Sequence, residues 1–195
     1  LLAGLTAEQR QAAATVDAPV IIVAGPGTGK TRTLTHRVAH LVADRGVDLR
    51  SVLAVTFTNR AANEMRERLA KRLGDRADLV RVATFHAFCL ELLRAHAAAA
   101  GLPDGFAVLD EAETLALLRR HTGLSARDAG AVLTAVEACR RDGTDPAAVP
   151  GQADLVAALA AAQALDLDSL VPACVRLLGA RPDIGASLNV RWLCV

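Results

Sequence analysis

The apolar positions in the first half of the chain fall into three short runs. They are VIIV (Val20–Val23), VLAVTF (Val52–Phe57) and VRVATF (Val80–Phe85). Nearly continuous apolar runs of this length are typical of strands buried on both faces of a parallel sheet. Each run precedes a stretch with the apolar spacing of a helix, at residues 29–44, 60–73 and 86–99. This alternation predicts an α/β fold built on a parallel sheet.

After Gly101 the pattern becomes mainly helical. FAVL predicts a short strand, and helices are predicted to begin at Asp110 with Glu113 and at Ser125 with Asp128, which have the spacing of helix caps. Residues 110–188 are therefore predicted to form an all-helical insertion, after which VRWLCV returns as a strand. The predicted domains are residues 1–109, the insertion 110–188, and residues 189–195, which rejoin the first domain.

The turn after the first apolar run has the composition of a phosphate-binding loop. Its sequence, AGPGTGKT, follows the Walker A pattern except that Ala24 replaces the first glycine. Glycines allow successive backbone N–H groups to point into one concavity, and the following helix adds the positive end of its dipole. Lys30 is expected to contact the outer phosphates of a di- or triphosphate, and the Thr31 hydroxyl to bind Mg²⁺. The predicted phosphate-binding residues are Ala24, Gly25, Pro26, Gly27, Thr28, Gly29, Lys30 and Thr31.

Composition and charge limit the classes of protein to be considered. The chain has 195 residues, is 52% hydrophobic and has a mean hydropathy of +0.30, so it has enough apolar side chains for a core. No apolar run reaches the roughly 18 residues of a membrane span, and the first residues do not resemble a signal peptide. The net charge is only +1, although residues 1–100 have a modest excess of Lys and Arg. Four scattered cysteines indicate reduced thiols, which favours a cytoplasmic protein.

Polar and aromatic side chains lie at the carboxyl ends of the second and third predicted strands. They are Thr56, Phe57, Thr58 and Asn59 in TFTN, and Thr84, Phe85 and His86 in TFH. Ligands of open parallel sheets bind at the carboxyl ends of the strands. Exposed aromatic rings can stack on bases, and Thr and Asn can bind phosphate oxygens. The sequence alone equally allows Phe57 and Phe85 to be core residues.

Four motifs occur together in one order: LTxxQRxA, GxGKTRxL, AVTFTNxAAxEM and TFH. In this respect the chain resembles the UvrD/Rep/PcrA-like helicases of superfamily 1. The resemblance implies a RecA-like P-loop NTPase, with helices on both faces of its parallel sheet and an all-helical inserted subdomain. It implies ATP and Mg²⁺ as cofactors, Gln9 at the adenine and Arg32 beside the nucleotide. It also implies that TFTN and TFH contact DNA, as a single strand or a 3′-tailed duplex, during 3′ to 5′ movement.

No catalytic residue is expected within these 195 residues. In the family, a strand similar to NVRWLCV precedes an Asp-Glu-x-x-Asp motif, and the sequence stops at Val195. Asp110 and Glu111 are interpreted as the start of a helix and not as that catalytic pair. The chain is therefore expected to be the amino-terminal part of a helicase, which binds nucleotide without hydrolysing it.

Two alternatives belong to other functional classes. One is a P-loop kinase or other NTPase that acts on a small molecule. TFTN and TFH at strand ends argue against it. The other is a non-enzymatic nucleotide-binding module, which is disfavoured because the chain stops within a predicted strand.

Overall fold

The structure is a computed structural model that describes residues 2–25 and 27–195. The chain forms two compact units, one of Leu1–Ala87 with Asp183–Val195 and the other of Phe88–Pro182. The strands are β1 (Val52–Thr56), β2 (Arg81–Thr84), β3 (Ala107–Leu109), β4 (Ala164–Asp166) and β5 (Trp192–Cys194). The helices are α1 (Ala7–Ala14), α2 (Lys30–Ala43), α3 (Asn59–Leu73), α4 (Phe85–Ala95), α5 (Glu111–Thr122), α6 (Ala126–Asp142), α7 (Gln152–Ala161), α8 (Leu170–Ala180) and α9 (Pro182–Ser187).

The first unit is built around a parallel sheet in the order β2-β1-β5. Every residue of β1 is buried, as expected for the central strand of a parallel sheet. Helix α3 contributes Ala62, Met65 and Leu69 to the core, at the spacing that places residues on one helical face. The α/β fold with a parallel sheet is confirmed, and β1 and β2 coincide with the second and third predicted strands to within a few residues.

The prediction of a buried strand at Val20–Val23 is wrong. Among the described residues this segment pairs with no strand, and Ile21 and Val23 are 90% and 94% exposed. Val20 and Ile22, which alternate with them, are half-buried. The segment thus has the two-residue alternation of an extended chain but lacks the ladder of hydrogen bonds that makes a strand. An apolar run gives the tendency to extend, whereas pairing depends on a partner elsewhere in the chain.

The second unit is mainly helical. Its core contains Leu118, Val136, Leu155 and Leu159 from helices α5, α6 and α7. The stretch predicted to be all-helical also contains β4, which pairs in parallel with β3. Its alanine-rich sequence resembles a continuation of α7, but Gln163 has a φ of 52° and the helix ends there.

The predicted helix caps at Asp110 and Ser125 are confirmed. Asp110 Oδ1 accepts a hydrogen bond from the Glu113 N–H at 2.8 Å, and Glu113 Oε2 accepts one from the Asp110 N–H at 3.0 Å. Ser125 Oγ accepts from the Asp128 N–H at 3.2 Å. Asp110 and Glu111 therefore begin helix α5. No helix in the described part of the chain is both long and apolar enough to cross a membrane.

Candidate nucleotide and nucleic-acid site

The turn between the extended segment and α2 depends on two glycines with left-handed backbone geometry. Gly27 has a φ of 75° and Gly29 a φ of 89°, a region that side chains with a Cβ rarely adopt. Thr28 Oγ1 donates a hydrogen bond to the Gly25 carbonyl at 2.7 Å, which closes the turn from inside. Pro26 lies outside the described residues. The sequence thus folds here into a tight turn that leads directly into the first N–H groups of α2.

Lys30 folds back over this turn. Its Nζ donates hydrogen bonds to the carbonyl oxygens of Ala24 at 2.9 Å and Gly25 at 2.8 Å. The ammonium group therefore lies against the first residues of the glycine loop, near the amino end of α2. A cation and free helix N–H groups in one place form a site suited to phosphate oxygens.

Two side chains connect the first residues of the chain to the region of the turn: Gln9 bonds to the turn itself, and Arg32 of α2 bonds to the loop before α1. The Gln9 carboxamide donates from Nε2 to the Thr28 carbonyl at 2.9 Å, while its Oε1 accepts from the Thr6 N–H at 3.1 Å. One side chain thus caps α1 and holds the turn. Arg32 donates from Nη2 to the Gly4 carbonyl at 2.8 Å. The structure therefore places Gln9 against the turn, and Arg32 against the loop that precedes α1.

The two groups of strand-end residues meet at the carboxyl edge of the sheet. Thr56 of β1 and Thr84 of β2 are partners in the parallel ladder, and both are buried. Their hydroxyls serve the backbone, since Thr56 Oγ1 donates to the Thr58 carbonyl at 3.1 Å and Thr84 Oγ1 accepts from the Ala87 N–H at 3.2 Å. Thr58 Oγ1 likewise accepts from the Ala61 N–H at 3.1 Å. The three threonines thus stabilise the turns that follow β1 and β2, in which Phe57 and Phe85 are located.

The residues of these turns include exposed aromatic and polar side chains. Phe57 is 82% exposed, so the alternative that it belongs to the core is wrong. Phe85 is half-buried, and its ring centroid lies 5.3 Å from that of Phe57 with the planes at 48°. Asn59 and His86 are exposed beside them. The result is a small aromatic platform at the sheet edge, flanked by hydrogen-bonding groups.

One cavity extends from the amino end of α2, directly after the glycine turn, to this sheet edge. It has a volume of about 830 Å³, and both Lys30 with Thr31 and the segment from Thr56 to Thr58 line it. The extended segment contributes Val20 and Ile22 to its walls, and β5 contributes Trp192. Cavities of this size, with apolar walls and a few convergent polar groups, are typical of small-molecule sites.

Arg37 also lines this cavity, and the sequence analysis did not identify it. Its side chain is buried, and Nη1 donates to the carbonyl oxygens of Ala12, at 2.9 Å, and Thr15. A guanidinium thus holds the end of α1 against α2 at the cavity wall. Its position seven residues after Lys30 places it on the same helical face, and this spacing is a signal that the sequence offered.

The ionisable groups of the cavity wall also include the Cys194 thiol of β5. Burial raises the pKa of this thiol, and the charge of nearby Arg37 offsets part of the rise. Asp17 also lines the cavity. No cluster of three or more His, Cys, Asp or Glu residues suited to a metal occurs in the part of the chain that the structure describes. Among the residues predicted to contact the nucleotide, Thr31 is the one whose side chain offers Mg²⁺ a hydroxyl ligand from the cavity wall.

Comparison with known proteins identifies the family. The family model described as UvrD/REP helicase N-terminal domain matches residues 5–195. The "ATP-dependent DNA helicase PcrA" of Bacillus subtilis (strain 168) is 34% identical over 202 residues, which cover 94% of this chain and 27% of that protein. The "ATP-dependent DNA helicase UvrD1" of Mycobacterium bovis is 39% identical over 214 residues, which cover 98% of this chain and 28% of that protein.

The chain thus spans between a quarter and a third of the length of these two relatives. The "ATP-dependent DNA helicase PcrA" of Staphylococcus aureus (strain Mu50) is 41% identical over 119 residues, which cover 61% of this chain and 16% of that protein. The region matched by the family model, residues 5–195, includes the glycine turn and both strand-end motifs. The chain belongs to the UvrD/REP helicase N-terminal domain family.

Proposed function

We propose that this chain is the ATP-binding amino-terminal portion of an ATP-dependent DNA helicase, which moves 3′ to 5′ along single-stranded DNA. One observation carries the proposal: Lys30 and Thr31 line the same cavity as the TFTN segment. A group that binds in the glycine turn therefore lies close to the sheet edge that presents Phe57. A motor requires such proximity, because the binding of nucleotide must change the affinity for DNA.

The nucleotide part of the proposal rests on the geometry of the turn. The Lys30 ammonium group, which now bonds to two carbonyls, would exchange them for phosphate oxygens of ATP. The Thr31 hydroxyl would hold Mg²⁺, which supplies charge neutralisation at the phosphates when bound. Gln9 would contact the adenine with the carboxamide that now touches Thr28, and Arg32 would lie beside the nucleotide.

The DNA part of the proposal rests on the aromatic platform. Phe57 offers an exposed ring for a base to stack on, and the nearby Phe85 supports it from the side. Asn59, Thr58 and His86 are exposed and have groups that bind phosphate or base edges. Their buried neighbours Thr56 and Thr84 would set the distance between the two segments. The partner would be single-stranded DNA or a 3′-tailed duplex.

The parallel sheet of the first unit supports the interpretation of this unit as a RecA-like domain. We propose that helices cover both faces of its sheet, and that residues 110–188 form a mainly helical insertion. Residues 189–195 would then return to the sheet, as the pairing of β5 with β1 suggests.

We further propose that residues 1–195 bind ATP without turning it over. The carboxylate of Asp110 is engaged at the start of helix α5, and Glu111 is the first residue of that helix. The two residues are therefore not arranged as a pair that binds a metal or activates a water molecule.

The proposal is tested by titrating the purified chain with a fluorescent ATP analogue and with a fluorescent thymidine oligonucleotide. Lys30→Ala should lose analogue binding because the charge-assisted bonds to phosphate disappear. Arg50→Ala is the matched control, because Arg50 is exposed and lies at the amino end of β1, away from the glycine turn. Analogue affinity that is equal in Lys30→Ala and wild type would overturn the nucleotide site. An oligonucleotide that fails to bind would overturn the DNA site.

A further inference from the structure

A second cavity lies between helices α2 and α3, and its character is cationic. It has a volume of about 260 Å³. The residues that line it are Arg32, Thr35, His36, Arg68, Lys71 and Arg72. Among the described residues that line this cavity, none is acidic. Four permanent positive charges thus surround a space equal to about eight water molecules.

This cavity is separate from the larger one at the amino end of α2. Lys30, Thr31 and Leu34 of α2 line the larger cavity, whereas Arg32, Thr35 and His36 line the cationic one. Successive residues of a helix point about 100° apart, so the two sets lie on different sides of α2. The modest excess of basic residues in the first half of the chain is therefore partly concentrated on a side of α2 that does not line the larger cavity.

Three of the four cations are held by a hydrogen bond or an ion pair, and Arg32 donates from Nη2 to the Gly4 carbonyl at 2.8 Å. Arg72 donates from Nη2 to Nε2 of His36 at 2.5 Å, and His36 is only 1% exposed. Arginine has no acceptor, so the histidine ring must accept with Nε2 and carry its proton on Nδ1. The ring thus orients Arg72 without neutralising its charge. Arg68 meets an acid, Glu64, at 3.5 Å on the exposed surface, where such a pair is weak.

We propose that the cationic pocket between α2 and α3 is a binding site for a phosphate group, distinct from the glycine turn. Guanidinium groups match the oxygens of phosphate in pairs, and Lys71 adds a mobile point charge. A bound anion would relieve the repulsion among the four cations. The same chemistry fits a free polyphosphate or a phosphate of the nucleic-acid backbone. Five of the six lining residues belong to neither the turn nor the platform, and Arg32 alone is shared with the proposed nucleotide site. The inference therefore stands on Arg68, Lys71 and Arg72 of α3, which the function proposed above does not use.

The experiment uses pyrophosphate as probe and isothermal titration calorimetry as readout. Because pyrophosphate also suits the glycine turn, all variants are made in the Lys30→Ala background. In that background pyrophosphate should still bind. Adding Lys71→Gln or Arg72→Gln should then weaken binding at least about tenfold, by loss of a charge-assisted bond. Adding Arg50→Gln, which removes an exposed charge elsewhere, should change it less than about twofold.

Two further measurements keep the result interpretable. Lys71 is exposed, so Lys71→Gln is expected to leave the circular dichroism and melting temperature unchanged even if Arg72→Gln loosens the helix pair. In chains with Lys30 intact, Lys71→Gln should leave the affinity for the ATP analogue unchanged. Lost pyrophosphate binding in Lys30→Ala alone, or binding that neither pocket variant weakens, would overturn the phosphate site. Neither outcome would touch the proposed nucleotide site.

A further measurement with DNA distinguishes a free polyphosphate from a phosphate of the nucleic-acid backbone. If the pocket holds the backbone, Lys71→Gln should also weaken binding of a thymidine oligonucleotide. It should then lower the slope of log affinity against log salt concentration by about 0.7. If oligonucleotide affinity and slope are unchanged while pyrophosphate binding falls, the ligand is a free polyphosphate. Both results support a phosphate site and differ only in the source of the phosphate.

Discussion

The ring of Phe57 lies 5.3 Å from the ring of Phe85, centroid to centroid, and the two planes are tilted by 48°. The two residues belong to different segments, one after β1 and one after β2. The register of the sheet brings them together, because Thr56 and Thr84, which directly precede them, are ladder partners. An exposed ring braced by a second ring keeps its orientation without being buried. The pair therefore has the geometry of a stacking platform.

Phe57→Ala is expected to weaken binding of single-stranded DNA by roughly 1–3 kcal/mol, because one base loses its stacking partner. Stability should hardly change, since the side chain is 82% exposed. The matched control is Phe106→Ala, because Phe106 is 2% exposed and its loss should cost about 3–5 kcal/mol of stability. Fluorescence anisotropy with a labelled oligonucleotide and urea unfolding measure the two effects. A Phe57→Ala chain that unfolds as readily as Phe106→Ala would show that the ring is structural.

Gly29→Ala is expected to lower both stability and nucleotide affinity. The φ of 89° is strained for alanine, and the new Cβ would lie 3.0 Å from Nε2 of Gln9. The strain should cost roughly 1–3 kcal/mol and disturb the bond between Gln9 and Thr28. Gly25→Ala is the control, because its Cβ would meet only Thr28 Cγ2 at 3.8 Å. Thermal unfolding and analogue titration of both variants check this; equal behaviour of the two glycines would contradict it.

Asp110→Ala is expected to cost roughly 0.5–2 kcal/mol of stability, because helix α5 loses its cap. The affinity for the ATP analogue should not change. Glu111→Gln should alter neither property, since Glu111 is an exposed first-turn residue outside the reciprocal cap. Phosphate release by the purified chain provides the decisive measurement. Turnover that Glu111→Gln abolishes would show that Asp110 and Glu111 are catalytic after all.

Stability is expected to fall as pH rises above about 9, partly because of Cys194. Burial raises the pKa of this thiol from its ordinary 9.0, so the folded chain keeps the proton longer than the unfolded chain. Below pH 9 both states are protonated and the full stability is present. Above it, the unfolded chain releases its proton first, which costs up to about 1.4 kcal/mol per pH unit until the folded pKa is reached.

Urea unfolding at pH 7, 9 and 10 checks this expectation. Cys194→Ala should show a smaller loss of unfolding free energy between pH 9 and pH 10 than the wild type. Cys139→Ala is the control, because Cys139 is only half-buried and its removal should leave the wild-type pH dependence in place. Identical pH dependence in Cys194→Ala and wild type would exclude a contribution from this thiol.

The features that the sequence predicted well are local ones. The caps at Asp110 and Ser125 depend on residues three positions apart, and the glycine turn on eight consecutive residues. Likewise, the burial of β1 follows from its composition. In each case the interacting groups are close in sequence, so the pattern alone contains the geometry.

The features that the sequence did not predict depend on distant partners. Val20–Val23 has the composition of a strand, but its apolar pattern does not say whether another strand lies beside it. Strand β4 was missed because Ala164–Asp166 continues an alanine-rich helix in sequence and pairs with β3 about 57 residues earlier. The cationic pocket was missed because Arg32 and Arg72 meet only after α2 packs against α3. Such contacts are a property of packing.

The exposed apolar residues of the extended segment have a consequence for handling the protein. Ile21 and Val23 are almost fully exposed, and Leu193 and Val195, at the last strand, are 62% and 61% exposed. Exposed, extended apolar chain is a template for pairing with another chain. We therefore expect the extended segment to promote self-association as concentration rises, and Ile21→Asp or Val23→Asp to reduce the association that analytical ultracentrifugation detects.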